Sequence, residues 1–114
     1  MSACIFCRVV RKELPAQVVY EDEGVLAFRD IDPKAPTHVL IIPKMHLGSL
    51  MEMTDAEAPL LGGIHRVIRE IAGTLDLAKS GFRVVINNGD NAGQAVGHVH
   101  FHLLGGRKLG WPPG

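Results

Sequence analysis

Histidines and bulky apolar residues alternate without a break near the end of this chain: His98, His100 and His102 are interleaved with Val99, Phe101 and Leu103. A period of two belongs to an extended strand, because successive side chains point to opposite sides. The three imidazoles therefore share one face, roughly 6.8 Å apart per step. The apolar side chains share the other face, where they can bury against a helix. A strand over His98–Leu104 follows, ended by Gly105-Gly106. It has one face for a core and one for chemistry.

Three readings of the histidine face are open. His-x-His on a strand can supply ligands to zinc, copper or iron. A row of neutral imidazoles can instead attack phosphorus, donate to phosphate oxygens and handle a leaving group's proton. A polar face that happens to be rich in histidine is the third reading. It suits a lone histidine better than three in strict alternation. The loop before the run, Asn87-Asn88-Gly89-Asp90-Asn91-Ala92-Gly93-Gln94, is polar and carries glycines that permit close backbone approach to a ligand. Its amides could form an anion-binding nest, which tilts the choice toward phosphate. It is not a Walker loop, because no Gly-Lys-Ser/Thr follows.

The remaining elements surround this strand. Ile5, Phe6, Val9 and Val10 fall near one face of a short helix, and Pro15 ends the pattern. Gln17–Tyr20 and Val25–Phe28 read as strands around the turn 21–24. His38–Ile42 reads as a central strand buried on both faces and stopped by Pro43. Thr54-Asp55-Ala56-Glu57 has capping-box spacing. Leu60, Leu61, Ile64, Val67, Ile68 and Ile71 then follow a helical period, although Gly62, Gly63 and Gly73 weaken it. Phe82–Ile86 is a further strand after Gly81. Five strands with one long and one short helix predict an α+β domain with a mostly antiparallel sheet.

At 114 residues, without repeat, linker or low-complexity tract, residues 1–114 read as a single domain. Twelve basic residues balance twelve acidic ones, which argues against a general attraction to nucleic acid or an anionic membrane. No apolar run has the length of a membrane span, and the N-terminus lacks a secretory signal's long apolar stretch. The expectation is a cytoplasmic protein, in which Cys4 and Cys7 do not form a structural disulfide.

His98-Val99-His100-Phe101-His102-Leu103-Leu104 resembles the signature of the histidine triad proteins. The resemblance extends to Ile5-Phe6, 11–15, 27–31, 35–38, 42–44 and Gly93-Gln94, nearly the whole chain. Leu103-Leu104-Gly105-Gly106-Arg107 and the terminal Trp111-Pro112-Pro113-Gly114 are similar to the nucleotide-binding HINT branch. That resemblance implies a homodimer whose two sheets join. It implies hydrolysis of purine nucleoside 5′-phosphoramidates through a nucleotidyl-histidine. By position, His100 is the nucleophile, His102 contacts phosphate or assists the leaving group, and His98 and His38 orient the row. Asp30 holds the ribose, although the residues alone equally suit a turn before Asp32-Pro33. Ile31, Phe28, Phe6, Ile5, Val9 and Leu14 line the base pocket; Asn87, Gly93 and Gln94 lie near the phosphate. Ala95 departs from family members with serine at this place, so a hydroxyl contact is lost.

Cys4-Ile5-Phe6-Cys7 has Cys-x-x-Cys spacing. A redox pair lacks its usual βαβ setting, and burial as small apolar thiols is the plain alternative. Some bacterial histidine triad proteins resemble a third arrangement, a structural zinc held by Cys4, Cys7, His46 and His98. No cofactor is implied for catalysis. His65 reads as a surface or packing residue without a role. Competing functions are a dinucleoside polyphosphate hydrolase, a nucleotide-binding module with little turnover, and a metal enzyme ligated by all three triad histidines.

Overall fold

The computed structural model describes residues 4–114. In chain order the elements are α1 (Ile5–Val10), β1 (Val18–Glu21), β2 (Val25–Arg29), β3 (Thr37–Pro43), α2 (Ala58–Thr74), β4 (Phe82–Ile86) and β5 (Phe101–Gly105). The strands form one sheet in the order β1-β2-β3-β5-β4, with every neighbouring pair antiparallel. This is the α+β architecture expected, and β3 is its central strand.

Strand alternation divides the core into two layers. Val25 and Ala27 of β2, Val39 and Ile41 of β3, and Phe101 and Leu103 of β5 pack with Ile64, Val67, Ile68 and Ile71 of α2. Leu26, Phe28, Leu40 and Ile42 turn to the other side and pack with Phe6 and Val9 of α1. A sheet covered on both faces has no need of polar alternation, which is why β3 is buried from His38 to Pro43. Each of these large side chains contributes about 1.5–3 kcal/mol when fully buried.

Three boundaries differ from expectation. α1 stops at Val10, and Lys12 follows with φ of 65°, so the helix ends before Pro15 can act on it. The capping box at Thr54 and Glu57 forms, but it heads a 3-10 turn over Asp55–Glu57 that leads into α2. The last strand is not laddered over His98–Leu104. β5 begins at Phe101, and the lead-in is held by Val99 N–H to the Leu47 carbonyl (2.7 Å) instead of by a neighbouring strand. Among the described residues, no helix is long and apolar enough to cross a membrane.

Candidate active site and metal centre

β5 and its lead-in carry the histidine row onto the α1 side of the sheet. Phe6 of α1 packs edge-on against His100 (ring centroids 5.2 Å apart) and His98 (6.0 Å), and His100 meets His102 at 5.0 Å. His98 and His100 are buried, and His102 is partly exposed. β3 brings His38 to the same side, with its ring centroid 5.1 Å from that of His102.

Hydrogen-bond partners settle which nitrogen of each ring bears the proton. A carbonyl only accepts, so His100 Nδ1–H donates to the His98 carbonyl at 2.8 Å. The neutral ring then keeps its lone pair on Nε2. A main-chain N–H only donates, so Lys34 N–H gives its bond to His38 Nδ1 at 3.0 Å. The neutral His38 proton therefore sits on Nε2, 2.9 Å from His102 Nδ1 and 3.4 Å from Asp30 Oδ2. His102 Nδ1 accepts, which leaves its proton on Nε2. That atom is buried and, among the described residues, has no hydrogen-bond partner. An orphaned buried N–H is costly unless an acceptor comes to it.

Burial favours the neutral form of His38 and His102. It is the largest cause of the lowered pKa of His38, against the opposing pull of Asp30. His102 is pushed down to about 4, first by burial and then by the neighbouring His100 and His38. The same arrangement thus presents an unprotonated nitrogen on His100 and an N–H on His102.

The row ends a cavity of about 340 Å³. Its walls include Ile5, Phe6, Val9, Leu14, Phe28 and Ile31, with Asp30 at one side and His100 and His102 at the end. Every residue expected to line an apolar pocket does so. Ile31 stands fully exposed beside the cavity. Pro15, Ala16, Arg29, Leu40 and Val96 also border it and were not anticipated from the sequence; Ala95, the position that departs from serine, lies in the same wall. Asp30 makes the turn contact that its residue type suggests: Oδ1 accepts from Asp32 N–H (2.8 Å), an Asx turn, while Oδ2 faces His38 Nε2 at 3.4 Å. Asn87 lies with Asp30, His38 and His102 around a second, shallower cavity of about 360 Å³.

The glycine-bearing loop is tied together by its own bonds. Gly89 and Gly93 have φ of 85° and 76°, so their backbone conformations favour glycine. The amides of Ala92, Gly93 and Gln94 all bond within the loop, which removes them from an anion nest. Gln94 is a staple: its Nε2 donates to the Gly48 and Val96 carbonyls at 2.7 and 3.0 Å, and its Oε1 accepts from Gly89 N–H. Neither Gly93 nor Gln94 lines the apolar cavity; they hold Ala95 and Val96, which do.

A metal ligated jointly by His98, His100 and His102 is not what these rings form. His98 faces the other way from the row's chemistry. Its Nε2 donates to the Pro43 carbonyl at 2.8 Å, and its Nδ1 lies 3.4 Å from Cys4 Sγ, 3.6 Å from Cys7 Sγ and 3.2 Å from His46 Nδ1. Cys7 Sγ is 3.2 Å from His46 Nδ1. Four donor atoms, all within 4.8 Å of one another, could hold one metal ion. A tetrahedral zinc with ordinary bond lengths needs about 3.3 Å between two nitrogens and about 3.6 Å between nitrogen and sulfur. The observed spacings fit that figure. The Pro43 carbonyl supplies the outer partner that fixes a ligating histidine. Asp30, His38 and His102 also converge within 4.8 Å, a spacing their hydrogen bonds already explain. His65 is exposed on α2, as expected.

Comparison with known proteins agrees with this geometry. The chain is 50% identical over 115 residues to the "14 kDa zinc-binding protein" of Zea mays, covering 99% of this chain and 89% of that protein. It is 44% identical to "Adenylylsulfatase HINT1" of Arabidopsis thaliana, covering 99% and 78%. The crystal structure of a HIT family hydrolase from Legionella pneumophila Philadelphia 1 superposes with a TM-score of 0.96 at 47% identity, covering 97% of this chain and 99% of that one. Residues 11–109 match the family model for the HIT domain, and the chain belongs to that family.

Proposed function

We propose that this protein hydrolyses purine nucleoside 5′-phosphoramidates to the nucleoside monophosphate and an amine. The observation that carries the reading is the opposed pair at the cavity's end: a free lone pair on His100 Nε2 beside an unpartnered N–H on His102. The base occupies the apolar cavity, where Ile31 and Phe6 cover it, and Asp30 accepts from the ribose hydroxyls. His100 Nε2 attacks the α-phosphorus and a P–N bond to the ring forms as the bond to the leaving amine breaks, the amine nitrogen taking a proton from solvent water that the later hydrolysis returns. His102 Nε2–H donates to the phosphate oxygen on which charge gathers. Water then cleaves the nucleotidyl-His100 bond, so one water is consumed per turnover.

Cys4, Cys7, His46 and His98 hold a structural zinc in this reading, which the spacing of the donor atoms and the zinc-binding maize relative support. A homodimer forms through α2 and the outer strand β4, where Leu61, Phe82 and Val84 are 42%, 40% and 40% exposed around an apolar hollow. The Arabidopsis relative's name makes adenylyl sulfate the comparison substrate, because the same attack at phosphorus would then expel sulfate. The test is turnover of adenosine 5′-phosphoramidate and adenylyl sulfate by wild type and His100→Ala, with mass spectrometry of the trapped nucleotidyl-protein. Equal hydrolysis by both proteins would end the proposal.

A further inference from the structure

The chain of proton positions that reaches His102 starts outside the row, at the main chain of Lys34. Lys34 is exposed, in the loop joining β2 to β3. That loop's own bonds are short-range: Asp32 N–H to Asp30, Lys34 Nζ to Asp32 (2.6 Å), and Lys34 N–H to His38 Nδ1. One further bond comes from far along the chain. Arg107 Nη2 donates to the Lys34 carbonyl at 2.9 Å, and Nη1 donates to the Lys108 carbonyl at 2.9 Å, which steadies the guanidinium.

The fold places Arg107 there by a close approach. β5 ends at Gly105, and Gly106 turns with φ of 94°. A Cβ on Gly106 would lie 2.9 Å from Pro36 Cβ, so only glycine lets the chain fold against this loop. A closed circuit results. Arg107, just past β5, holds the Lys34 carbonyl; Lys34 N–H fixes His38; His38 Nε2–H fixes His102, back on β5.

We infer that Arg107 is a positioning residue: by clamping Lys34 it keeps His38, and through it His102, in the tautomer that points an N–H at the substrate phosphate. Without the clamp the loop is free to withdraw the Lys34 N–H. His38 then loses the shorter of the two contacts that favour a proton on Nε2, and only Asp30 Oδ2, 3.4 Å away, still opposes the other tautomer. With the proton moved to His38 Nδ1, Nε2 becomes an acceptor and His102 Nδ1 takes a proton to meet it. The His102 nitrogen facing the phosphate is then a lone pair, which repels the oxygen it should bind. No group is oxidised and no proton is lost; each ring remains neutral.

The kinetic part rests on the proposed phosphoramidate hydrolysis; the tautomer part does not. The experiment is long-range proton–nitrogen NMR of histidine-labelled wild type and Arg107→Ala near neutral pH without nucleotide. Wild type should show His38 and His102 each protonated on Nε2, and Arg107→Ala should show a mixture of tautomers at both. With substrate, kcat should fall about tenfold, the size of one lost hydrogen bond to a charged group, while KM changes less than about twofold. Arg107→Lys, which retains charge and one donor, should recover most of both signals. Should Arg107→Ala not fold, Arg107→Gln, too short and uncharged, should give the same mixture. Wild-type tautomers in the Ala or Gln variant would overturn the inference, as would a loss confined to KM. If the tautomers shift but wild type does not hydrolyse phosphoramidates, the proposed function fails and the inference stands.

Discussion

Acidification from about pH 7 to about pH 4 should unfold this protein partly through a single ring. His102 titrates near 6.5 when exposed, and the fold pushes it down to about 4 by burial and by neighbouring His100 and His38. Between those values the unfolded chain binds a proton that the folded chain refuses. Stability is therefore full above about pH 6.5 and falls as the pH drops through the folded value. The whole span corresponds to at most about 3.4 kcal/mol. Because the ring is only partly buried, solvent screening reduces this to about 2 kcal/mol. The comparison is His102→Phe, which fills a similar space without titrating. Unfolding free energies from urea titrations of both proteins should show the wild-type value falling by about 2 kcal/mol more than the variant's across that range, because only wild type carries the penalty. Contributions common to both, including loss of any metal, cancel. Parallel losses would refute the claim that His102 is held neutral by its surroundings.

His100→Ala should lower phosphoramidate turnover by at least about 10⁴-fold while leaving nucleotide affinity within a few fold, measured by single-turnover kinetics and calorimetry. Removing zinc with a chelator, or Cys7→Ser, should lower the melting temperature by about 10 °C, as expected when a ligand present well above its Kd is lost; purified protein with no zinc and an unchanged melt would exclude the centre. Ile41→Ala, buried between sheet and α2, should cost about 2–5 kcal/mol in chemical denaturation without changing KM. Ala95→Ser adds a hydroxyl to the cavity wall beside His100, and kcat should rise; a slower enzyme would count against the reading that the serine's absence costs rate.

The histidine face was legible because alternation is a local property. Val99, Phe101 and Leu103 went to the core and His100 and His102 away from it, as period two requires. β3 was legible for a related reason: an apolar run bounded by Pro43 suits a strand covered on both sides. The start of β5 was not legible, because nothing in the side chains of His98 and Val99 says that Leu47 holds them instead of a strand. The bonds that Gln94 makes within the fold were not legible for the same kind of reason. The resemblance gave it only a place near the phosphate, and its partner Gly48 lies 46 residues away. The meeting of Cys4 and Cys7 with His46 and His98 came from family resemblance, since spacing alone does not specify a shared point in space.

Distant partners also explain why the row must be histidine. Each ring uses one nitrogen to be held and the other to work. His98 is held at Nε2 by Pro43 and turns Nδ1 toward Cys4, Cys7 and His46; His100 is held at Nδ1 by the His98 carbonyl and offers Nε2. His102 is held at Nδ1 by His38 and offers Nε2–H. A lysine or carboxylate in any of these places cannot be a donor through one atom and an acceptor through another on a rigid frame. The order of the holders matters as well. His98 carries both a ring of the four-donor cluster and the carbonyl that sets the tautomer of His100, so a displacement of that cluster is passed to His100 through the backbone of one residue. The site's electrostatics thus depend less on charge than on the direction in which neutral rings are turned.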